Sequence, residues 1–263
     1  MTETVTLPNG LVISEINPYE TKFLYKEIFI DESYLKHGIT LPGDAVVLDV
    51  GANIGLFSLF CLGKAPNARI LAVEPAPHCL ACLEHNIAAN GGLVEVIRAA
   101  AVDVAGPQKF TYYPKYSIMS GILADRQGDT DILRKGAARL LGIDPDSPGA
   151  RKMIDMLVSG KLKDAVEFTC DAVTVSDLID AHGLTRIDLL KVDVEKAEAM
   201  VLAGIAERHW AAVRQIVLEA HDLGHGEHET IKALLESKGF QVVMEATDNL
   251  SSSGIYSLYA RRT

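Results

Sequence analysis

Apolar residues along the chain follow two alternating patterns: short β-branched runs, and longer stretches with apolar positions every three or four residues. Ala45-Val-Val-Leu-Asp-Val50 is nearly continuous apolar and predicts a strand buried on both faces. A helix over 54–65, a strand over 69–74, a helix over 77–90 stopped by Gly91-Gly92, and a strand over 94–102 follow it. The rhythm weakens in the middle of the chain. There 109–114 reads as an extra strand, and 131–142 and 150–160 carry apolar positions at helical spacing on either side of the turn-rich Asp144-Pro-Asp-Ser-Pro148. This predicts a helical insertion over about 125–165, too short for a core of its own. Beyond it, strand 187–192, helix 196–209, strand 215–219 and helix 229–238 restore the alternation. Strands 241–245 and 255–261 are close enough in the chain to pair antiparallel. Ahead of the first strand, Tyr19, Phe23, Tyr25, Phe29 and Tyr34 predict an aromatic amphipathic helix within 1–44, packed on the core or covering a site as a lid. No repeat or low-complexity linker interrupts the pattern, so 1–263 reads as a single α/β domain with a parallel sheet and crossover helices.

Charge narrows the partners. Lys and Arg number 25 against 35 Asp and Glu, a net charge of −10. No basic cluster is present to neutralise a phosphate backbone, which argues against nucleic acid. No apolar run approaches the roughly 18 residues of a membrane span, and the first residues lack the basic and apolar regions of a secretory signal. The expectation is a soluble, cytoplasmic protein. Cys79 and Cys82 form a C-x-x-C inside a helical pattern with no second ligand pair, so they read as ordinary helix residues rather than a redox or zinc pair.

The signal that carries chemistry is Asp49-Val-Gly-Ala-Asn-Ile-Gly55, at the first strand-to-helix turn. Gly51 and Gly55 permit a tight turn and close approach of a ligand to the backbone, and the start of the next helix offers free N–H donors. The G-x-x-x-G spacing differs from the G-x-G-x-x-G of pyrophosphate-binding folds, which disfavours a nicotinamide dehydrogenase. Asp49 suits a cationic amine, and Glu74, ending the second strand, suits the two hydroxyls of a ribose. Together they describe a nucleoside bearing an amino-acid tail. Asp103, just past the third strand, is a candidate for the adenine end or a turn former before Gly106.

Val47-Leu-Asp-Val-Gly-Ala-Asn-Ile-Gly55 and Lys191-Val-Asp-Val-Glu-Lys-Ala-Glu198 resemble the S-adenosylmethionine-dependent methyltransferases of the FkbM family, and the resemblance runs over nearly the whole chain. The opening Leu7-Pro-Asn-Gly10 and Phe23-Leu-Tyr-Lys-Glu-Ile-Phe29, with Ser117-Ile-Met-Ser-Gly121, resemble the branch found with modular polyketide and non-ribosomal peptide synthases. Many family members have Gly where Lys196 stands, and Lys is usual in the synthase-associated branch. The resemblance implies a class I methyltransferase fold: α/β, with a seven-stranded, mostly parallel sheet, an antiparallel last strand, an N-terminal helical lid and a helical insertion. It implies S-adenosylmethionine as cofactor, with no metal, and puts Asp49, Gly51, Asn53, Gly55 and Glu74 on cofactor-binding positions. Tyr34, Asp103, Ser120 and Asp193 complete the candidate cofactor contacts. The implied reaction is O-methylation of a polyketide or peptide intermediate, at the β-hydroxyl of an acyl chain on a carrier protein or of a small molecule, by a free-standing enzyme or part of a larger synthase. A sugar O-methyltransferase and a catalytically inactive cofactor-binding module are the alternatives. For an acidic carrier protein, Arg134, Lys135, Arg139, Arg151 and Lys152 on the insertion would supply a basic face.

Methyl transfer to an alcohol needs an aligned acceptor and a base for its proton. Strand C-termini face the ligand in such a fold, which brings forward Asp193 and Glu195 after one strand and Glu219, His221 and Asp222 after the next. His221 is the first candidate for general base, since an imidazole titrates near working pH. Glu195 would orient it, or simply cap the next helix. His37, ahead of the first strand, is the third candidate. His221, Asp222, His225 and His228 with Glu195 have the residue types of a divalent-metal site, but their Gly-containing loop fits solvent exposure better.

Overall fold

The computed structural model describes residues 4–144, 147–158, 160–222, 224–246 and 254–262. The chain opens with a hairpin absent from the sequence expectation, β1 (Thr4–Thr6) paired antiparallel with β2 (Val12–Ser14). Helix α1 (Pro18–Tyr25) starts where the Asn17 side chain accepts the Tyr19 N–H at 2.9 Å, with proline in its first turn. It continues as a π-helical turn, Lys26–Ile30. Glu32, with φ of 46°, then redirects the chain, so Tyr34 lies on a separate short 3-10 turn, Ser33–Leu35, rather than on the predicted aromatic helix.

Strand β3 (Val46–Val50), helix α2 (Leu56–Lys64), β4 (Arg69–Val73), α3 (Pro77–Asn90) and β5 (Leu93–Ile97) follow as the alternation predicts. The predicted 94–102 strand is broken. The Ala99 N–H donates back to Ile97 O at 3.0 Å, and the chain leaves the sheet to form β6 (Ala100–Ala101) elsewhere. Strand β7 (Gly106–Tyr112) precedes the insertion, helices α4 (Arg126–Leu140) and α5 (Pro148–Val158), which pack on each other through Ala138, Ala150 and Ile154. Of the predicted turn between them, 145–146 lie outside the described residues. Two further elements were not expected: β8 (Val166–Val173), whose partly buried Phe168 and Cys170 and buried Ala172 alternate with the exposed Glu167, Thr169 and Asp171, and α6 (Val175–Ala181). A Thr174–Asp177 capping box starts α6, each side chain accepting from the other's backbone N–H at 2.9 Å.

The chain then returns to the main sheet with β9 (Leu189–Val192), α7 (Glu198–Ala203), β10 (Gln215–His221), α8 (Glu227–Ser237), β11 (Gln241–Ala246) and β12 (Ile255–Arg261). Helix α7 is shorter than the predicted 196–209. Glu195 and Lys196 sit at φ of 44° and 69°, which bars a helical start there, and Gly204 ends the helix before a 3-10 turn, Glu207–Ala212. The main sheet has seven strands in the order β5-β4-β3-β9-β10-β12-β11, and only β12 runs against its neighbours. This is the class I methyltransferase arrangement, with the terminal hairpin antiparallel. A smaller sheet, β6-β8-β7, flanks it.

Side-chain alternation assigns the two faces. Leu48, Val50, Leu190, Val192 and Leu218 pack under α6, α7 and α8. Val47, Leu189 and Val217 pack under α2 and the N-terminal segment, with Ile13, Ile28 and Phe57. The same parity sends Asp49, Lys191 and Glu219 toward the N-terminal side. Polar residues therefore interrupt one core face, at the end of the sheet where the site lies.

Candidate active site

A cavity of about 1380 Å³ opens over the C-terminal ends of β3, β4, β9 and β10. Its floor includes Gly51, Asn53, Glu74, Asp193, Glu195 and Glu219; the N-terminal segment walls it through Phe23, Leu24 and Glu27, and the insertion through Ile132, Leu133 and Leu157.

The glycine loop is held by backbone atoms. Gly51 has φ of 79°, its N–H donates to Val73 O at 3.0 Å, and a Cβ there would lie 1.8 Å from Asp193 O. Only glycine fits. Asn53, at φ of 49°, donates its N–H to Glu74 Oε2 at 2.9 Å, while Ala76 N–H reaches Oε1 at 2.8 Å. Burial pushes the Glu74 carboxyl up to about 7, outweighing those two donors. The Asn53 amide also donates to Ser117 Oγ at 3.3 Å, and that hydroxyl donates to Glu20 Oε2 at 2.6 Å. Helix α1 is thereby tied to the loop. Gly55 serves packing: it heads α2 at φ of 86°, and a Cβ there would press on Leu83 Cδ1 at 2.5 Å.

Asp49 sits beneath the loop, fully buried and outside the cavity lining. Its Oδ2 accepts from Ser58 Oγ at 2.7 Å, and the cation beside it is the chain's own Lys191, with Nζ 3.3 Å from Oδ1. Lys191 Nζ also donates to Gly51 O at 2.7 Å and lies 3.5 Å from Asp193 Oδ2. Burial disfavours this ammonium, but Asp49 and Asp193 together hold its pKa above the usual lysine value. Tyr34 is buried outside the lining and donates its hydroxyl to Asp193 Oδ2 at 3.0 Å, positioning that carboxylate. Ser120 lines the cavity, and its Oγ accepts the Tyr113 N–H at 2.9 Å. Asp103 is exposed beyond β6, outside the lining. His37 is also outside it, at φ of 52°, with Nε2 2.7 Å from Glu245 Oε1 and its ring against Tyr259.

His221 is buried between two carboxylates. Its Nδ1 is 2.8 Å from Glu198 Oε1, and its Nε2 is 3.4 Å from Glu195 Oε2. Burial disfavours the imidazolium, yet Glu195 and Glu198 outweigh it and raise the His221 pKa well above the usual histidine value. The other oxygen of Glu195, Oε1, is buried without a hydrogen-bond partner on a residue that lines the cavity. Asp222 and His228 pair with each other at 3.2 Å outside the lining. Among the described residues no group of three or more His, Cys, Asp or Glu side chains is placed to hold a metal ion, and no helix is long and apolar enough to cross a membrane. Cys79 and Cys82 are buried thiols, and burial pushes the Cys79 thiol well up.

Sequence reasoning passed over Lys191, Glu198 and Glu27. Lys191 had a local signal, a cation inside the otherwise apolar Leu189-Leu-Lys-Val192, whose four residues are all buried. Glu27 had none.

The sequence profile of the Methyltransferase FkbM domain matches residues 49–242. The chain belongs to the FkbM methyltransferase family. It is 39% identical over 262 residues to 31-O-demethyl-FK506 methyltransferase FkbM of Streptomyces tacrolimicus, covering 99% of this chain and 97% of that one. It is 41% identical over 267 residues to AMB antimetabolite synthetase AmbE of Pseudomonas aeruginosa, covering 98% of this chain but only 12% of that protein. The crystal structure of Methyltransferase FkbM from Methylobacillus flagellatus KT superposes with a TM-score of 0.50 at 12% identity, over 90% of this chain and 47% of that one. Lys196 stands where the resemblance to the FkbM family implied a glycine. The backbone there is left-handed, as glycine prefers, and the Lys196 ammonium pairs with the fully buried Asp129 of α4, which also accepts the Tyr113 hydroxyl at 2.7 Å.

Proposed function

We propose that this FkbM-family chain methylates a hydroxyl oxygen using S-adenosylmethionine, with Glu195 as the base. The residues present fit that cofactor. Gly51 lines the cavity without a side chain, its missing Cβ letting the loop sit against Asp193 O, and Glu74 lines it with a buried carboxyl at the end of β4. Gly51, Asn53 and Glu74 would hold the nucleoside, and Asp193 would border its amino-acid tail. When bound, S-adenosylmethionine supplies an electrophilic methyl group. The observation that carries the oxygen acceptor is the unpartnered Glu195 Oε1, a buried acceptor atom at the cavity wall. A hydroxyl donating to it is oriented and has a place to leave its proton. The geometry supports Glu195 over His221 in that role, because both His221 nitrogens face carboxylates, which favour its protonated form. His221 then positions Glu195. The name of the FkbM relative supports a hydroxyl acceptor, and the match to a short part of a synthetase supports an acceptor presented on a carrier protein. For docking such a carrier, Lys135, Arg151 and Lys152 are exposed, whereas Arg134 is engaged by Asp131 and Asp155, and the Arg139 side chain lies outside the described residues.

The test is calorimetric titration with S-adenosylhomocysteine, with NAD as control, followed by a methyl-transfer assay of wild type and Glu195→Gln. Binding of S-adenosylhomocysteine alone and loss of transfer in the variant are expected. Binding of NAD, or full activity in the variant, would overturn the reading.

A further inference from the structure

Three carboxylates lie at one level across the sheet, Asp193 at the end of β9, Glu219 on β10 and Glu245 on β11, with Ser257 of β12 between the last two. Val192 pairs with Leu218, so Asp193 lies level with Glu219; Glu219 pairs with Ser257, and Ser257 with Glu245. Glu27 faces the same cavity from the π-helical turn. Two of the four are compensated. Asp193 has Lys191 and the Tyr34 hydroxyl, and Glu245 has His37. Glu27 and Glu219 make no hydrogen bond or ion pair among the described residues. Burial first, then Asp193, pushes Glu27 up to about 7 against the pull of Lys191 and Lys36. Burial, Asp193 and Glu27 push Glu219 well above the carboxylate range despite His221. Glu195 is the independent sign of a ligand here: it is 8% exposed, its Oε1 has no partner, and it lines the same cavity. Crowded carboxylates that lack a directly paired cation are relieved when a ligand brings one.

We propose that the acceptor carries an ammonium group held by Glu219 and Glu27, beside the hydroxyl received by Glu195. This rests on the methyltransferase reading above. The cofactor's own ammonium is the competing source of positive charge, and position argues against it at Glu219. Glu74 and the glycine loop place a nucleoside over β3 and β4, and Asp193 lies between them and Glu219.

The experiment uses the whole chain saturated with S-adenosylhomocysteine, titrated with ω-amino alcohols of two to five carbons and with their neutral N-acetyl derivatives. At least one amino alcohol should bind about tenfold or more tighter than its acetylated partner, with proton release seen as a buffer-dependent heat, because an incoming ammonium favours the ionised carboxylates. Glu219→Gln should shrink that preference below about threefold while leaving S-adenosylhomocysteine affinity within about twofold, and Glu27→Gln should shrink it in part. Equal binding of the paired probes, or no uptake of any amino alcohol by protein that binds S-adenosylhomocysteine, overturns this inference alone. A large loss of S-adenosylhomocysteine affinity in Glu219→Gln also overturns it, assigning the carboxylate to the cofactor. Failure of wild type to bind S-adenosylhomocysteine overturns the methyltransferase reading on which it rests.

Discussion

The two halves of the cavity are built from different materials. Over β3 and β4 the contacts are backbone atoms: Gly51 against Asp193 O, and the Asn53 and Ala76 N–H groups on Glu74. Over β9 and β10 they are ionisable side chains, His221 between two glutamates and Glu219 with no hydrogen bond or ion pair among the described residues. Backbone contacts suit a ligand that stays the same across a family, since they hold shape whatever the side chains do. Charged side chains in a poorly hydrated wall respond to a ligand's charge and can be exchanged one at a time. On the proposed reading the first half holds the cofactor, and the second sets acceptor choice.

Four measurements sharpen or break that contrast. The largest effect is expected on the side-chain half. Glu195→Gln keeps the shape and the His221 contact but removes the base, so single-turnover methyl transfer should fall by roughly 10²–10⁴, with S-adenosylhomocysteine affinity nearly unchanged. A parallel loss of cofactor affinity would mean that the halves are not separable.

On the backbone half, Gly51→Ala meets a carbonyl oxygen that cannot move aside. The left-handed conformation and the overpacking together predict a loss of about 3 kcal/mol in denaturant unfolding. Gly55→Ala, which presses on a movable leucine side chain, should cost less. Equal costs would contradict the distinction between backbone and side-chain constraint.

Lys196 joins the acceptor half to the insertion. Lys196→Gly relieves the backbone at φ of 69° but removes the cation paired with the buried Asp129. A net loss of about 2 kcal/mol is expected, since breaking a buried pair costs more than the glycine gain returns. Hydrogen exchange localised to α4 and α5 would detect it, and unchanged protection there would sink the assignment.

The smallest effect is a pH dependence on the cofactor side. The folded Glu74 carboxyl sits at about 7 rather than 4.5, so it is protonated over that range and its stability cost grows as pH rises through it. A ligand donating two hydroxyls needs the ionised form. Affinity for S-adenosylhomocysteine should therefore weaken about tenfold from about pH 8 to about pH 6, and Glu74→Gln should flatten the slope. A slope that survives in the variant would point to another group.

Legibility in the sequence follows the same division. The Asp49 to Gly55 turn was readable because a strand, a turn and a helix start are local, and their glycines answer to backbone conformations a few residues apart. Even so, sequence spacing assigned Asp49 to a ligand's amine, when the amine beside it is Lys191, at 3.3 Å and far along the chain. The break of the 94–102 run was hidden because the apolar pattern continues through it; the chain turns at Ala99 while the next residues stay buried against β8.

By itself the sequence determined the order and type of most elements, the antiparallel closing hairpin, the insertion and the glycine turn, since periodicity and turn chemistry are local and survive any packing. Only the tertiary structure decided which carboxylates meet. Glu27, Asp193, Glu219 and Glu245 come from four separate elements, and strand register and side-chain parity set them around one cavity. Their charge state depends on that meeting, because burial and neighbouring charge act through space and leave no trace in the spacing of residues along the chain.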